Sequence, residues 1–380
     1  MIRSVTFENY RGFRRFELHD LGRVNLIVGT NNAGKTSVLE AVYLLEATGD
    51  FGSIWSTLVR RGEDFEEREE GRVLRQVDIR RLFHGHDLSN GSRFRIEAIT
   101  DRGQDEFSAI VNESPQKPDI GSPGLFDQFD PTSEPEFVSR ASWLDLHWVN
   151  GQTGSGVNAQ VGLTRRGGVS TEGVQTISLV GRQRVPIRFI TAASLSPDTV
   201  IDLFEEIVLT PSEEFVIDAL RIIEPSIERI ATSGTDRRRT TSSSRVGYRG
   251  GLLVKCQGVR DRIPIGSMGD GIWRILGLAL ALASTEGGIL LVDEIDTGLH
   301  YSVMENMWKL VSQTAKRLKA QVFATTHSRD CYESLAAISR DTVSKNSEIT
   351  IQRIERGKDR SVAYSEQEII AAARRHTEVR

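Results

Sequence analysis

An α/β fold is predicted by three stretches of the chain. VNLIV (24–28) is an unbroken apolar run, as expected of a strand covered on both faces. It leads into the glycine loop GTNNAGKT (29–36), and the loop into a helix from about Lys35 to Ala47, where Val38, Ala41, Val42 and Leu45 recur at helical spacing. Far along the chain a second apolar run, ILLV (289–292), ends in Asp293-Glu294. A strand, a glycine loop and a helix, with another buried strand ending in acids, describe a parallel sheet that carries its chemistry at the carboxyl ends of its strands.

The remaining elements follow in order. IRSVTF (2–7) reads as an opening strand. Residues 54–90 read as two short helices and a solvated turn around EDFEEREEGR. SRFRIEAIT (92–100) alternates Phe94, Ile96 and Ala98 and reads as a half-buried strand. Residues 113–135 hold Pro115, Pro118, Pro123, Pro131 and Pro135, half of the chain's 10 prolines, and read as a loop. Residues 150–175 are rich in Gly, Ser and Thr and read as hairpins or further loop. Two helices are expected over 196–230, DTVIDLFEEIVL opening at Pro197 and SEEFVIDALRII beginning after the break at Pro211. SGTDRRRTTSSSR (233–245) reads as a loop, LLVKCQGV (252–259) as a strand and EQEIIAAARR as a closing helix. No repeat and no long heptad run is present. The expected organisation is an N-terminal lobe (1–195) with a loop-rich insertion (about 113–175), a short helical arm (196–230) and a C-terminal lobe (231–380).

Composition narrows the class. At 380 residues the chain has room for one large α/β domain with an insertion, or for two domains. Lys plus Arg is 48 against 52 Asp plus Glu, so no overall field draws it to a polyanion, and nucleic acid would have to meet a local patch. Two cysteines, Cys256 and Cys331, are too few for a disulfide framework and read as buried thiols of a cytosolic protein. MIRSVTFENY lacks the apolar core of a signal peptide, and ILGLALALA (275–283) is too short to span a bilayer. A cytoplasmic protein without membrane contact is expected.

Four stretches carry chemistry. Gly29 and Gly34-Lys35-Thr36 fit G-x-x-x-x-G-K-[ST], a phosphate-binding loop. Its backbone N–H groups, from Gly29 through Asn31, Asn32 and Gly34 to Ser37 at the helix start, suit anionic oxygens, and glycine permits the close approach. Lys35 would neutralise β/γ-phosphate oxygens, and Thr36 would hold Mg²⁺ through its hydroxyl. In ILLVDEIDTGLH, Asp293 is placed to hold the same metal and Glu294 to polarise an attacking water. AQVFATTHSRD (320–330) is another apolar strand, ending beside His327, which reads either as a structural histidine or as a γ-phosphate or water contact. In PIGSMGDGIWRILGLALALA (264–283), Ser267-Met268-Gly269 opens an apolar helix. Alone it reads as an N-capped core helix with Ser267 near the cap; it also forms a second anion site.

GTNNAGKT, SMGDG, LLVDE, the D-T-G-L turn and TTHS, in this order and preceded by VTFENYRGFRRF, resemble the ABC-type ATPase head of SMC, RecF and OLD proteins. DEIDTGLHYS, QVFATTHSRDC and the terminal EVR are similar to stand-alone OLD-like ATPases. The resemblance covers about 1–50 and 185–380; the middle matches in architecture only. It implies a two-lobed ABC-type P-loop ATPase head, with a mixed-sheet lobe and a helical lobe, that uses ATP and Mg²⁺. It implies a head-to-tail homodimer or higher homo-oligomer with ATP held between the P-loop of one copy and Ser267 and Gly269 of another. Asp296 would sit in the turn that crosses the interface, His327 would be the switch histidine, and Arg11 would approach the phosphates.

SMGDG departs from the LSGGQ of transporters and of many SMC proteins, and Gln183 is the candidate for a Q-loop. Residues 328–380 leave little room for a Toprim nuclease, and the chain has no Asp-x-Asp pair, so no nuclease activity of its own is expected. The resemblance implies a separate effector, a Toprim-like nuclease, in a two-gene anti-phage system. DNA is a further candidate partner. A RecF-like DNA-repair clamp and a nucleotide-gated binding module with negligible hydrolysis are the alternatives. Arg237-Arg238-Arg239 reads as a solvated hairpin tip, or as a phosphate contact or effector dock. His84 and His86 lack partners at ligand spacing.

Overall fold

The computed structural model describes residues 1–47, 50–69, 72–114, 141–151, 154, 156–164, 166–170, 185–233, 251–341 and 348–374. Gln183, Arg237–Arg239, most of the proline-rich stretch and the terminal EVR lie outside these. The chain opens with β1 (Ile2–Tyr10), β2 (Phe13–Leu18), β3 (Val24–Val28), α1 (Lys35–Glu46) and α2 (Phe51–Arg60). There follow β4 (Asp64–Glu69), β5 (Arg72–Asp78), β6 (Arg93–Thr100), β7 (Gly103–Ser114), β8 (Ala141–Val149), β9 (Gly156–Leu163) and β10 (Gly168–Ser170). After β11 (Ile187–Ile190) come α3 (Pro197–Ile207), α4 (Pro211–Arg221), β12 (Ile227–Thr232), β13 (Leu252–Cys256), β14 (Ile263–Pro264) and α5 (Asp270–Ala283). The chain continues with β15 (Ile289–Val292), α6 (Tyr301–Arg317), β16 (Gln321–Thr325), α7 (Arg329–Asp341), β17 (Ile349–Arg353), β18 (Val362–Ser365) and α8 (Glu366–Arg374).

The chain divides into two compact units, one of residues 1–4, 18–39 and 185–380, the other of residues 5–17 and 40–184. This differs from the expected breaks at 195 and 230. The first unit is built on a six-stranded sheet of order β11-β15-β16-β3-β17-β18. The five strands from β11 to β17 run parallel, and β18 turns back antiparallel to β17. Every residue of β3, β15 and β16 is buried, which explains why VNLIV and ILLV are apolar throughout rather than alternating. In register, Ile27 faces Thr325 and Ala324 faces Val292, so the carboxyl ends of β3, β16 and β15 finish side by side.

Residues 196–230 do not form an arm. Both helices start as the sequence predicts, with Ser196 and Thr210 capping and Pro197 and Pro211 in the first turn. Their apolar faces, including Leu203, Phe204, Val216 and Leu220, join the same buried cluster as Ile272, Trp273 and Leu276 of α5. Each such side chain gains roughly 1.5–3 kcal/mol from burial, far more than an exposed arm could recover. Among the described residues no helix is long and apolar enough to cross a membrane.

The second unit carries a six-stranded sheet, β2-β1-β6-β7-β8-β9, and a three-stranded one, β10-β5-β4. Its core is aromatic: Phe107 stacks on Trp148 at 4.5 Å, and the Trp148 indole N–H donates to the Leu44 carbonyl. Phe94, Ile96 and Ala98 are buried on β6, as their alternation predicts. The solvated turn expected around EDFEEREEGR is instead the antiparallel β4–β5 pair, and beyond it a short 3₁₀ turn over Ile79–Leu82 stands in place of the second expected helix. Glu66 lies opposite Arg75 in the register of the two strands, and Arg75 pairs with Asp64 at 2.7 Å.

Candidate functional site

The glycine loop leaves β3 at its buried end and enters α1 at Lys35. A Cβ on Gly29 would come within 2.5 Å of the Ile354 carbonyl oxygen, so this position admits only glycine. Asn32 (φ 60°) and Gly34 (φ 100°) are both left-handed, a backbone form that gathers successive N–H groups into an anion-binding concavity. The N–H groups of the first turn of α1, which includes Ser37, add the positive end of the helix dipole. Lys35 Nζ donates to the carbonyls of Gly29 (2.8 Å) and Thr30 (3.1 Å). Burial lowers its pKa below the ordinary lysine value, while Asp293 and Glu294 act in the opposite direction.

The loop meets the acidic strand end directly. Thr36 Oγ1 donates to the Asp293 carboxylate, at 3.0 Å from Oδ2 and 3.2 Å from Oδ1. Thr325, at the end of β16, donates its hydroxyl to Asp293 Oδ1 (2.6 Å) and accepts the Glu294 N–H (2.8 Å). One fully buried hydroxyl thus fixes both acids. Glu294 has a φ of 47°, a costly conformation for a residue with a side chain, and its neighbours hold it there. Its Oε2 accepts from Thr297 Oγ1 (3.2 Å), and its Oε1 lies 3.7 Å from His327 Nδ1. Asp296 accepts from the Thr326 hydroxyl at 2.6 Å. Lys35, Thr36, Asp293, Glu294 and His327, predicted from separate motifs, are therefore assembled at the ends of three adjacent strands.

Ser267 and Gly269 lie on another element, the turn that opens α5, and both are exposed. The cap of α5 is Gly269, not Ser267, which sits in a short 3₁₀ turn over Ile265–Met268. This turn is coupled to the acids through the first turns of α5. A Cβ on Gly271 would approach the Gly298 carbonyl to 3.2 Å, so the helix start lies against the turn containing Asp296. One turn on, the buried Arg274 donates to the carbonyls of Thr191 (2.6 Å), Asp293 (2.7 Å) and Glu294 (2.7 Å). Burial lowers its pKa to about 10, opposed by Asp296, Asp293 and Glu294. Arg274→Met, which keeps the bulk and removes the donors, is expected to cost about 2 kcal/mol, because the Asp293 carbonyl loses its donor and those of Thr191 and Glu294 keep only the N–H groups of Ser194 and Thr297. A thermal melt should show Tm lower by about 2–3 °C; an unchanged Tm would remove this role from Arg274.

Arg11 belongs to the second unit. It is buried, with Nε 2.8 Å from Glu40 and Nη1 2.9 Å from Glu63, and Arg61 also pairs with Glu40 at 2.7 Å. Arg274, Thr297 and Thr325 are not singled out by the sequence. Arg274 interrupts an otherwise apolar helix, WRILGLALALA, and that interruption was the available signal. Thr325 ends an apolar strand, but only strand register shows which neighbour its hydroxyl meets.

The chain is similar to several known proteins. A family model described as "AAA ATPase domain" matches residues 1–129, and one described as "AAA domain, putative AbiEii toxin, Type IV TA system" matches residues 257–330. The first span contains the glycine loop, and the second contains Ser267, the acid pair and His327. An "ATP/GTP phosphatase" of Helicobacter pylori is 22% identical over 359 residues, covering 90% of this chain and 89% of that protein. The "DNA replication and repair protein RecF" of Bacillus velezensis is 37% identical over 76 residues, and the match spans 20% of each chain. Among solved structures, an SMC head bound to the C-winged helix domain of ScpA aligns at 14% identity and a TM-score of 0.46, covering 97% of this chain and 99% of that one. The SMC head domain from Thermotoga maritima aligns at 13% identity and 0.41, covering 96% and 98%.

Proposed function

We propose that this chain is an ABC-type P-loop ATPase head that binds and hydrolyses ATP, closes on it as a dimer or higher homo-oligomer, and controls a separate effector. The observation that carries the nucleotide reading is the hydrogen bond from Thr36 to Asp293, which joins the glycine loop to the acidic strand end. The H. pylori relative, similar over most of both chains and named an ATP/GTP phosphatase, supports it. The loop N–H groups and Lys35 hold the β- and γ-phosphates. The Thr36 hydroxyl and Asp293 carboxylate form an oxygen-only donor pair that suits Mg²⁺, which when bound would offset phosphate charge. Glu294, its carboxylate set by Thr297 and His327, orients the attacking water and takes its proton. His327 faces the same centre and is assigned the γ-phosphate.

Ser267 and Gly269 are exposed at a helix start, where a second copy's nucleotide could be received. Binding that favours only the closed pair then makes ATP the bond between copies, and hydrolysis releases it. Light scattering tests this. With a non-hydrolysable ATP analogue the wild-type mass should double, and Ser267→Arg should remain monomeric while still binding nucleotide. A wild-type mass unchanged at saturation would reject the dimer.

For biology, the motif resemblance points to anti-phage defence with a Toprim-like nuclease as effector, and the toxin–antitoxin description attached to residues 257–330 also belongs to a two-component setting. ATP-dependent co-purification with the product of a neighbouring gene tests it. The local similarity to RecF favours a second reading, a DNA-repair clamp. Steeply salt-dependent duplex binding that requires ATP would select that reading.

A further inference from the structure

The segment after β17 is fastened to the glycine loop at successive points. The Ile354 N–H donates to the Val28 carbonyl at 2.9 Å, one residue before the loop. The Ile354 carbonyl fills the space that a side chain on Gly29 would take. Two residues on, Arg356 spans the outer curve of the loop, with Nε 3.3 Å from the Asn32 carbonyl and Nη2 3.3 Å from the Asn31 carbonyl. Asn31 and Asn32 are exposed, and Asn32 is held at a φ of 60°, so this part of the loop has no core packing to fix it. The planar guanidinium fork is what can grip two adjacent carbonyls at once.

We propose that Arg356 is a positioning residue for the nucleotide's phosphates. By fixing the carbonyls of Asn31 and Asn32 from outside, it turns the N–H groups of the same loop inward, and so makes nucleotide affinity depend on the turn between β17 and β18. This role rests on the nucleotide site proposed above. It concerns residues 354–356, well past the last motif that the sequence marks. A loop that samples its binding conformation only part of the time binds more weakly in proportion to that fraction. The chemistry at Glu294 is unaffected once the site is filled.

The test is titration of a fluorescent ATP analogue with Mg²⁺, together with steady-state hydrolysis, on wild type, Arg356→Ala, Arg356→Lys and Lys35→Ala. Arg356→Ala is expected to weaken binding about tenfold, raising KM with kcat within about twofold. Arg356→Lys keeps the positive charge but loses the fork, and should stay close to the alanine variant. Because Arg356 is exposed, neither variant should shift Tm. Wild-type affinity in Arg356→Ala would overturn the proposal, and full recovery in Arg356→Lys would show that charge alone acts, which also overturns it. If wild type binds no nucleotide, or binds it regardless of Lys35, the nucleotide site itself fails and this role falls with it. Lys35-dependent binding that ignores Arg356 removes only the inference drawn here.

Discussion

Glu294→Gln should lower kcat for ATP hydrolysis by about 10²- to 10⁴-fold, the usual loss on removing a positioned general base, while nucleotide binding persists. The substitution is nearly isosteric. The amide oxygen can still accept from Thr297 at the position where Oε2 now does, at 3.2 Å. The backbone contacts that fix the residue, its N–H on Thr325 and its carbonyl on Arg274, are untouched. What is lost is the ability to take a proton from water, so the defect belongs to kcat. Filled sites should then persist, and an assembly held by ATP should accumulate. Single-turnover phosphate release, read beside the bound-nucleotide fraction, separates the two effects. Hydrolysis at the wild-type rate would move the base elsewhere, with His327, 3.7 Å away, the first residue to test.

Local patterns carried the central part of the fold, and long-range partners decided the rest. VNLIV, the glycine loop and the helix after it are neighbours in sequence, so their arrangement could be read without the remainder of the chain. The meeting of Thr36 with Asp293 joins distant segments, yet it follows from two parallel strands ending together, which the motif order already suggests. The β4–β5 pair was missed because EDFEEREEGR holds one large apolar residue in a run of charges and reads as a solvated turn, and only strand register places Arg75 opposite Glu66. The arm failed because α3 and α4 are amphipathic in either setting, and only α5 shows what covers them. Thr325 and Arg274 act through hydroxyl and guanidinium contacts set by register and helix docking, which no spacing rule in one sequence encodes.

Lys35→Ala should weaken ATP binding at least about 100-fold, equivalent to roughly 2.7 kcal/mol, within reach of the charge-assisted bonds an ammonium makes to phosphate. The variant should not be less stable. Folding pulls the Lys35 pKa below its ordinary value because burial disfavours the ammonium. The folded chain therefore holds this proton less tightly than the unfolded chain does, and the charged lysine is a penalty in full at pH below its folded pKa, one that disappears as pH rises from the folded to the ordinary, unfolded pKa. Removing the side chain lifts the penalty and sacrifices only its bonds to the carbonyls of Gly29 and Thr30. Tm should stay within about 2 °C of wild type or rise, while isothermal titration shows binding lost. A bound phosphate reverses the balance by favouring the ammonium, so wild-type affinity should decline in the alkaline range as Lys35 deprotonates, and this decline should be absent from the variant's residual binding. Undiminished affinity in Lys35→Ala would contradict the phosphate assignment outright, whereas a collapse in Tm would show that the lysine's carbonyl bonds hold the loop together.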